Sequence, residues 1–245
     1  MTQPVVVFIR GLFREARHWG DVLDLVQDVL PELKVEAIDL PGSGAKWSEE
    51  SPASISEIME QLRRERLPGT KYYLVGLSLG GMVALEWAIR HPQEVAKCII
   101  VNTSAKPFGH FYQRLRWQIY PNVLRALHSQ PERRERLIYR MVSNKPLDPN
   151  RVEQWIDIAR TRPISVSNCI QQLVAASRYK VLSEPQCPVL SIVSARDRLV
   201  DTQVCIEMAN SMKMELTVHD WAGHDLPMDD PDWFVQQVCR FILKP

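Results

Sequence analysis

Cysteine is scarce in this 245-residue chain. The five residues, Cys98, Cys169, Cys187, Cys205 and Cys239, are an odd number, widely spaced, with no C-x-x-C pair. That argues against a disulfide framework and against a thiolate zinc site, and it points to a reducing compartment, read here as cytoplasmic. No run approaches the ~20 consecutive apolar residues of a membrane span. The first ten residues lack the basic start and apolar stretch of a signal peptide. There is no internal repeat, no low-complexity tract and no nucleic-acid-binding motif. Net charge is almost missing as well, at +1. The near-zero sum conceals an asymmetry: residues 105–182 hold 14 Lys and Arg against 5 Asp and Glu, whereas the remainder holds 16 against 24. An acidic body argues against a nucleic-acid partner. A middle segment of opposite sign reads as an insertion with its own surface role.

Short apolar, β-branched runs recur at 5–9, 35–40, 72–75, 98–101, 189–193 and 215–219, mostly continuous rather than alternating, as in parallel strands covered on both faces. Helical patterns at 18–29, 54–66, 81–90, 202–211 and 231–243 fall between them. Strand–helix alternation predicts an α/β fold with a doubly wound, mostly parallel sheet of about six strands. Residues 105–182 break the rhythm with four or five helices and no strand. Pro121, Pro131 and Pro149 fit first-turn positions, and Asp148 fits an N-cap. The organisation expected is a core of 1–104 and 183–245 with a helical cap at 105–182, placed over the carboxyl ends of the strands.

Gly76-Leu-Ser-Leu-Gly80 lies between the strand at 72–75 and a helical run, the strand–turn–helix setting of a G-x-S-x-G nucleophile elbow. The bare motif arises by chance in roughly one chain in ten of this length, so the flanks and the partners of Ser78 carry the weight. A serine hydroxyl needs an imidazole to take its proton. His91 ends a helix, His110 and His128 fall in the cap, and His219 lies on a strand. His224 follows the last strand in Trp221-Ala-Gly-His-Asp, after a glycine that permits an unusual backbone. A carboxylate must then fix the imidazole tautomer. Asp197 follows the strand at 189–193; the rival Asp201 suits a helix N-cap, and Asp220 and Asp225 are too near His224 in sequence to reach its ring. The order Ser78, Asp197, His224 is the one that accompanies a nucleophile elbow. Oxyanion donors are expected from the N–H groups of Leu79, after the nucleophile, and Leu12, in the loop after the first strand.

Asp39-Leu-Pro-Gly-Ser-Gly, Gly76-Leu-Ser-Leu-Gly-Gly, Arg90-His-Pro-Gln-Glu-Val, Asp197-Arg-Leu-Val and Gly223-His224 followed by Pro227, Asp229 and Pro231 together resemble the α/β-hydrolase superfamily over essentially the whole chain. The size and helical insertion resemble the small bacterial carboxylesterases of the pimeloyl-acyl-carrier-protein methyl ester esterase type. The resemblance implies a serine hydrolase acting on a small-molecule carboxylic ester or thioester through an acyl-enzyme, with no metal or organic cofactor. Two departures stand out. The chain enters directly at what is the family's third strand, without the usual antiparallel hairpin. Arg10 also replaces the usual histidine before Gly11. Either Arg10 pairs with a neighbouring acid or carbonyl, or Arg10, Arg14 and Arg17 meet an anionic group of the substrate. Arg10, Phe13 and His18 are the candidate substrate contacts.

In the cap, Arg133, Arg136 and Arg140 share one helical face. They form either a solvated face supported by pairs such as Glu132–Arg136 or a steering surface for an acidic acyl carrier or coenzyme A thioester. Two other functions stay in view. One is a non-hydrolytic C–C lyase of the menaquinone-pathway type, although such enzymes place an arginine where this chain has Met82. The other is a non-catalytic binding module, although these commonly lose one of the three residues present here.

Overall fold

The computed structural model describes residues 3–245. Six strands form one sheet, β1 (Val5–Ile9), β2 (Lys34–Ile38), β3 (Tyr72–Leu77), β4 (Val95–Val101), β5 (Val189–Ser194) and β6 (Glu215–His219). They stand in the order β2-β1-β3-β4-β5-β6, and every pairing is parallel. Among the described residues the sheet thus has six strands, as the sequence predicts.

Alternation along β1 divides the core into two layers. Val5, Val7 and Ile9 face α2 (Ile55–Arg64) and α3 (Leu79–Arg90), while Val6 and Phe8 face the opposite layer. That layer is built by α1 (Val22–Val29) and by the carboxyl-terminal helix α11 (Pro231–Leu243). β4 begins three residues earlier than its apolar run because Lys97, on the strand, turns its ammonium to the carbonyls of Phe241 and Ile242 at the end of α11 (3.0 Å each).

Between β4 and β5 lie α4 (Phe111–Arg114), α5 (Tyr120–Leu127), α6 (Pro131–Val142), α7 (Pro149–Thr161) and α8 (Val166–Arg178). Pro121, Pro131 and Pro149 occupy first-turn positions, where a missing N–H costs nothing. Asp148 caps α7 by accepting the N–H groups of Asn150 and Arg151 (2.9 and 3.3 Å). These helices share a small core of their own around Ile138, Val142, Val152 and Trp155. The helices α9 (Thr202–Ser211) and α10 (Leu226–Asp229) complete the chain. No helix among the described residues is long and apolar enough to cross a membrane.

The strand order fixes where a site forms. From β1 the chain runs outward to β2 and returns on the other side of β1 as β3, so the connections leaving β1 and β3 part at the carboxyl edge. Open α/β sheets bind ligands in the crevice at such a switch point. Ser78 follows β3, and Arg10 to Arg14 follow β1.

Candidate active site

Ser78 joins β3 directly to α3 with φ 57° and ψ −117°. A residue carrying a side chain disfavours this left-handed region and is held there only by its surroundings. The surroundings are tight. A Cβ on Gly76 would overlap the backbone of Gly80, and one on Gly80 would overlap the carbonyls of Ile9 and Arg10. The Ser78 N–H donates to the Val101 carbonyl (2.8 Å), and the Thr103 hydroxyl donates to the Ser78 carbonyl (3.2 Å).

His224 sits in the loop after β6. Its Nδ1–H donates to Asp197 Oδ2 at 2.7 Å, and both side chains are buried. The other carboxylate oxygen of Asp197 accepts the N–H groups of Leu199 (2.7 Å) and Val200 (3.1 Å), which fixes its orientation. With Nδ1–H committed to a carboxylate, Nε2 carries the lone pair that takes a proton. Asp201 is the N-cap of α9, accepting the Gln203 N–H (3.0 Å). His219 is buried by Trp233 and hydrogen-bonded to Asp230 (3.1 Å).

Three supports of the His224 loop escape the sequence reading. Asn102, at φ 47° beyond β4, donates to the His224 carbonyl (2.8 Å) and accepts the Ser194 N–H (2.7 Å), tying the ends of β4 and β5 to this loop. Asp229 accepts the N–H groups of Gly223 (2.7 Å) and Asn144 (3.0 Å) and the Ser143 hydroxyl (2.5 Å). Gly223 itself has no positive φ, contrary to expectation. Glycine is needed because a Cβ would lie 2.5 Å from the Val142 carbonyl at the end of α6.

Asp225 is the third support. Arg10 donates to it through both terminal nitrogens, Nη1 to Oδ1 at 3.0 Å and Nη2 to Oδ2, and stacks on Trp19 at 4.7 Å. Burial alone would push the Asp225 carboxyl up; the charge and hydrogen bonds of Arg10, together with the charge of Arg14, outweigh it and hold the group below its ordinary value. Of the two readings of Arg10, the structure favours pairing with an acid. Arg14 likewise donates to Glu135 of α6 (2.7 Å) and lies 3.9 Å over Trp155, and Arg17 donates to Glu15 (2.8 Å).

His18 corrects the sequence expectation. It is buried on Trp155, its ring nitrogens face the Glu15 backbone and the Arg14 guanidinium, and it does not line the cavity that Ser78 opens into. Burial, reinforced by Arg14 and Arg10, pushes its pKa well down and keeps the ring neutral. Phe13 does line the cavity, with φ 61° in the loop after β1.

That cavity has a volume of about 220 Å³ and is bounded below by Leu12, Ser78, Leu79 and His224. The inserted helices bound it above with Ile119, Val123, Ile138 and Met141. The loop after β1 abuts the elbow closely: a Cβ on Gly11 would lie 3.2 Å from Ser78 Cβ and 3.7 Å from the Leu79 nitrogen. Leu79 is the first residue of α3, where an N–H has no partner within the helix. Among the described residues, neither its N–H nor that of Leu12 finds a backbone acceptor. Two free donors beside a hydroxyl, a proton acceptor and an apolar chamber suit acyl transfer.

Comparison with known proteins agrees with this geometry. The chain is 25% identical over 252 aligned positions to a pimeloyl-[acyl-carrier protein] methyl ester esterase of Vibrio atlanticus, covering 98% of this chain and 95% of that one. It is 26% identical to a protein of the same description from Vibrio cholerae, covering 98% and 94%. Among solved structures, the enol-lactonase of Burkholderia xenovorans superposes with a TM-score of 0.81 at 17% identity, covering 100% and 93%, a likeness of fold. The family model described as alpha/beta hydrolase fold matches residues 4–231. That stretch takes in the whole sheet and both loops that carry Asp197 and His224, and the chain therefore belongs to the alpha/beta hydrolase fold family.

Proposed function

We propose that the chain is a serine hydrolase that cleaves a carboxylic ester or thioester through an acyl-enzyme. Ser78 Oγ attacks the carbonyl carbon while its proton passes to His224 Nε2, and the oxyanion is held by the Leu12 and Leu79 N–H groups. The imidazolium, stabilised by Asp197, gives the proton to the departing alcohol or thiol. Water, deprotonated by His224, then attacks the acyl carbon and releases the acid and the free Ser78. The observation that carries this reading is the buried 2.7 Å bond from His224 to Asp197, with His224 lining the same cavity as the half-buried elbow serine. The full-length resemblance to methyl ester esterases supports the ester as the bond cleaved.

A finer reading concerns delivery. Arg133, Arg136 and Arg140 lie exposed along α6 and form no ion pair among the described residues. Glu132, expected to pair with Arg136, pairs with Arg160 of α7 instead, through a hydrogen bond of 2.5 Å. The stripe suits an acidic carrier of the acyl group, such as an acyl carrier protein, whose name the relatives bear. Pairing with Asp225 also leaves Arg10 less suited to meet the anionic substrate that the lyase alternative would need.

Hydrolysis of a panel of methyl and aryl esters tests the proposal. Ser78→Ala and His224→Ala should each lower kcat by several orders of magnitude, and the double variant should lose little more, because the two act as a unit. Asp197→Asn should cost about 10⁴-fold. A folded Ser78→Ala variant that retains wild-type turnover contradicts the mechanism.

A further inference from the structure

The turn that carries the Leu12 N–H is short and held at both ends. It closes through the Arg14 N–H, which donates to the Gly11 carbonyl (3.2 Å), with Phe13 at φ 61°. An arginine stands on either side of Leu12, and each leaves the turn for a distant carboxylate. Arg10 grips Asp225 through both terminal nitrogens, with Nη1 to Oδ1 at 3.0 Å, and Arg14 donates to Glu135 at 2.7 Å. Trp19 and Trp155 lie against the two guanidinium groups at 4.7 and 3.9 Å. All four charged side chains are buried.

The two carboxylates are joined to each other as well. The Asp225 N–H donates to the Val142 carbonyl at the end of α6 (2.9 Å), and Glu135 lies about two turns earlier on the same helix. A ring of contacts thus runs from the turn through Arg10, Asp225, Val142, Glu135 and Arg14 back to the turn. Asp225 follows His224 directly in the chain, so the ring ties the proton acceptor to one of the two donors expected to hold the oxyanion. Charge compensation alone does not call for this. Apolar groups in place of both Arg10 and Asp225 would leave no charge to compensate, and such exchanges are often neutral for stability. What a fork of two parallel bonds adds is a fixed distance and angle between the backbones that carry it.

We propose that Arg10 is a positioning residue: its two bonds to Asp225 hold the turn of Leu12 in register with the loop of His224, so that both meet one carbonyl group. The inference rests on the hydrolase reading above and adds the part that aligns its donors with its base. A displacement of about 1 Å between groups acting on one carbonyl can cost about 10²-fold in rate. Because the oxyanion exists only after attack, the loss falls on kcat and leaves KM nearly unchanged.

The test is the double variant Arg10→Met with Asp225→Leu, assayed on the ester that the wild type turns over fastest. Its kcat should fall about 10²-fold with KM within about three-fold of wild type. A pair that only balances buried charge predicts the opposite, a double variant as fast as the wild type. A folded double variant with kcat within about two-fold of wild type therefore overturns the proposal and leaves the hydrolase reading intact. Arg10→Lys, which keeps the charge without the fork, decides if the double variant fails to fold. It should lose about ten-fold in kcat, and an unchanged kcat rejects the clamp. If the wild type turns over no ester, the hydrolase reading has failed and hydrogen exchange of Arg10→Lys decides. The Arg14 and Asp225 amides should then exchange about ten-fold faster than in the wild type while those of β3 keep their rates. Equal exchange, or an acceleration that β3 shares, rejects the clamp.

Discussion

At the scale of single residues, the elbow stores strain that a substitution can release. Ser78 holds φ 57° and ψ −117°, where an L-residue costs on the order of 1–3 kcal/mol. Glycine adopts this backbone without that cost but loses about 0.5–1 kcal/mol more in entropy on folding. Ser78→Gly should therefore be about 1 kcal/mol more stable than Ser78→Ala, both being inactive. Urea midpoints at unchanged slope provide the comparison, and a less stable glycine variant contradicts the strain assignment. Arg10 makes a second case. Removing it as Arg10→Gln leaves Asp225 buried without its partner, which should cost about 3–5 kcal/mol near neutral pH. The sign with pH follows from the carboxyl being held below its ordinary value. Its contribution is complete above the unfolded value, near 3.8, and is lost as pH falls through the folded value. The stability gap between wild type and variant should be widest above about pH 6 and should shrink toward pH 3. A gap that widens on acidification would rule out the pairing.

Among the elements, the junction of β1, β3 and α3 is the least forgiving. Alanine at position 80 gains up to about 1 kcal/mol in helix propensity. Against that, its Cβ would overlap the Ile9 and Arg10 carbonyls, which are backbone and cannot swing aside. The overlap should win, and Gly80→Ala should lose about 3 kcal/mol or more, measured as a fall in thermal midpoint together with loss of ester turnover. Much of this junction was legible in the sequence, since a tight turn, its glycines and its serine are adjacent in the chain. The strands were legible because continuous burial writes itself as continuous apolar runs; β4 was truncated where Lys97 reaches out to cap α11. What stayed hidden depends on long-range pairing. Arg10 meets Asp225 across 215 residues and Arg14 meets Glu135 across 121, and no local pattern announces either contact. His18 was misread for the same reason: a histidine beside the site looks functional until Trp155, from a distant helix, is seen to bury it. Asn102 carried no recognised motif, only its place after an apolar run.

For the molecule as a whole, the inserted helices join the site in two ways. They roof the chamber, and they are tied to its floor through Arg14–Glu135 and through the Val142 carbonyl, which accepts the Asp225 N–H at 2.9 Å. Their positive surface stands against an acidic body. If the exposed arginines of α6 attract an acidic carrier, replacing Arg133, Arg136 and Arg140 by Gln should lower kcat/KM on a carrier-bound substrate. The loss should appear as slower association and fade as salt rises past 0.15 M, where the screening length is about 8 Å. Unchanged kinetics on a carrier-bound substrate at low salt would reduce the stripe to a solvated face.

The central claim, that Ser78 is a nucleophile activated by His224, is tested most directly by covalent labelling. The folded wild-type protein is treated with a fluorophosphonate and the adduct is located by peptide mass spectrometry. The account predicts one adduct, on Ser78, none at that position in Ser78→Ala, and labelling slowed by orders of magnitude in His224→Ala. A folded wild-type protein that leaves Ser78 unmodified, or that carries the label on another residue, would contradict it.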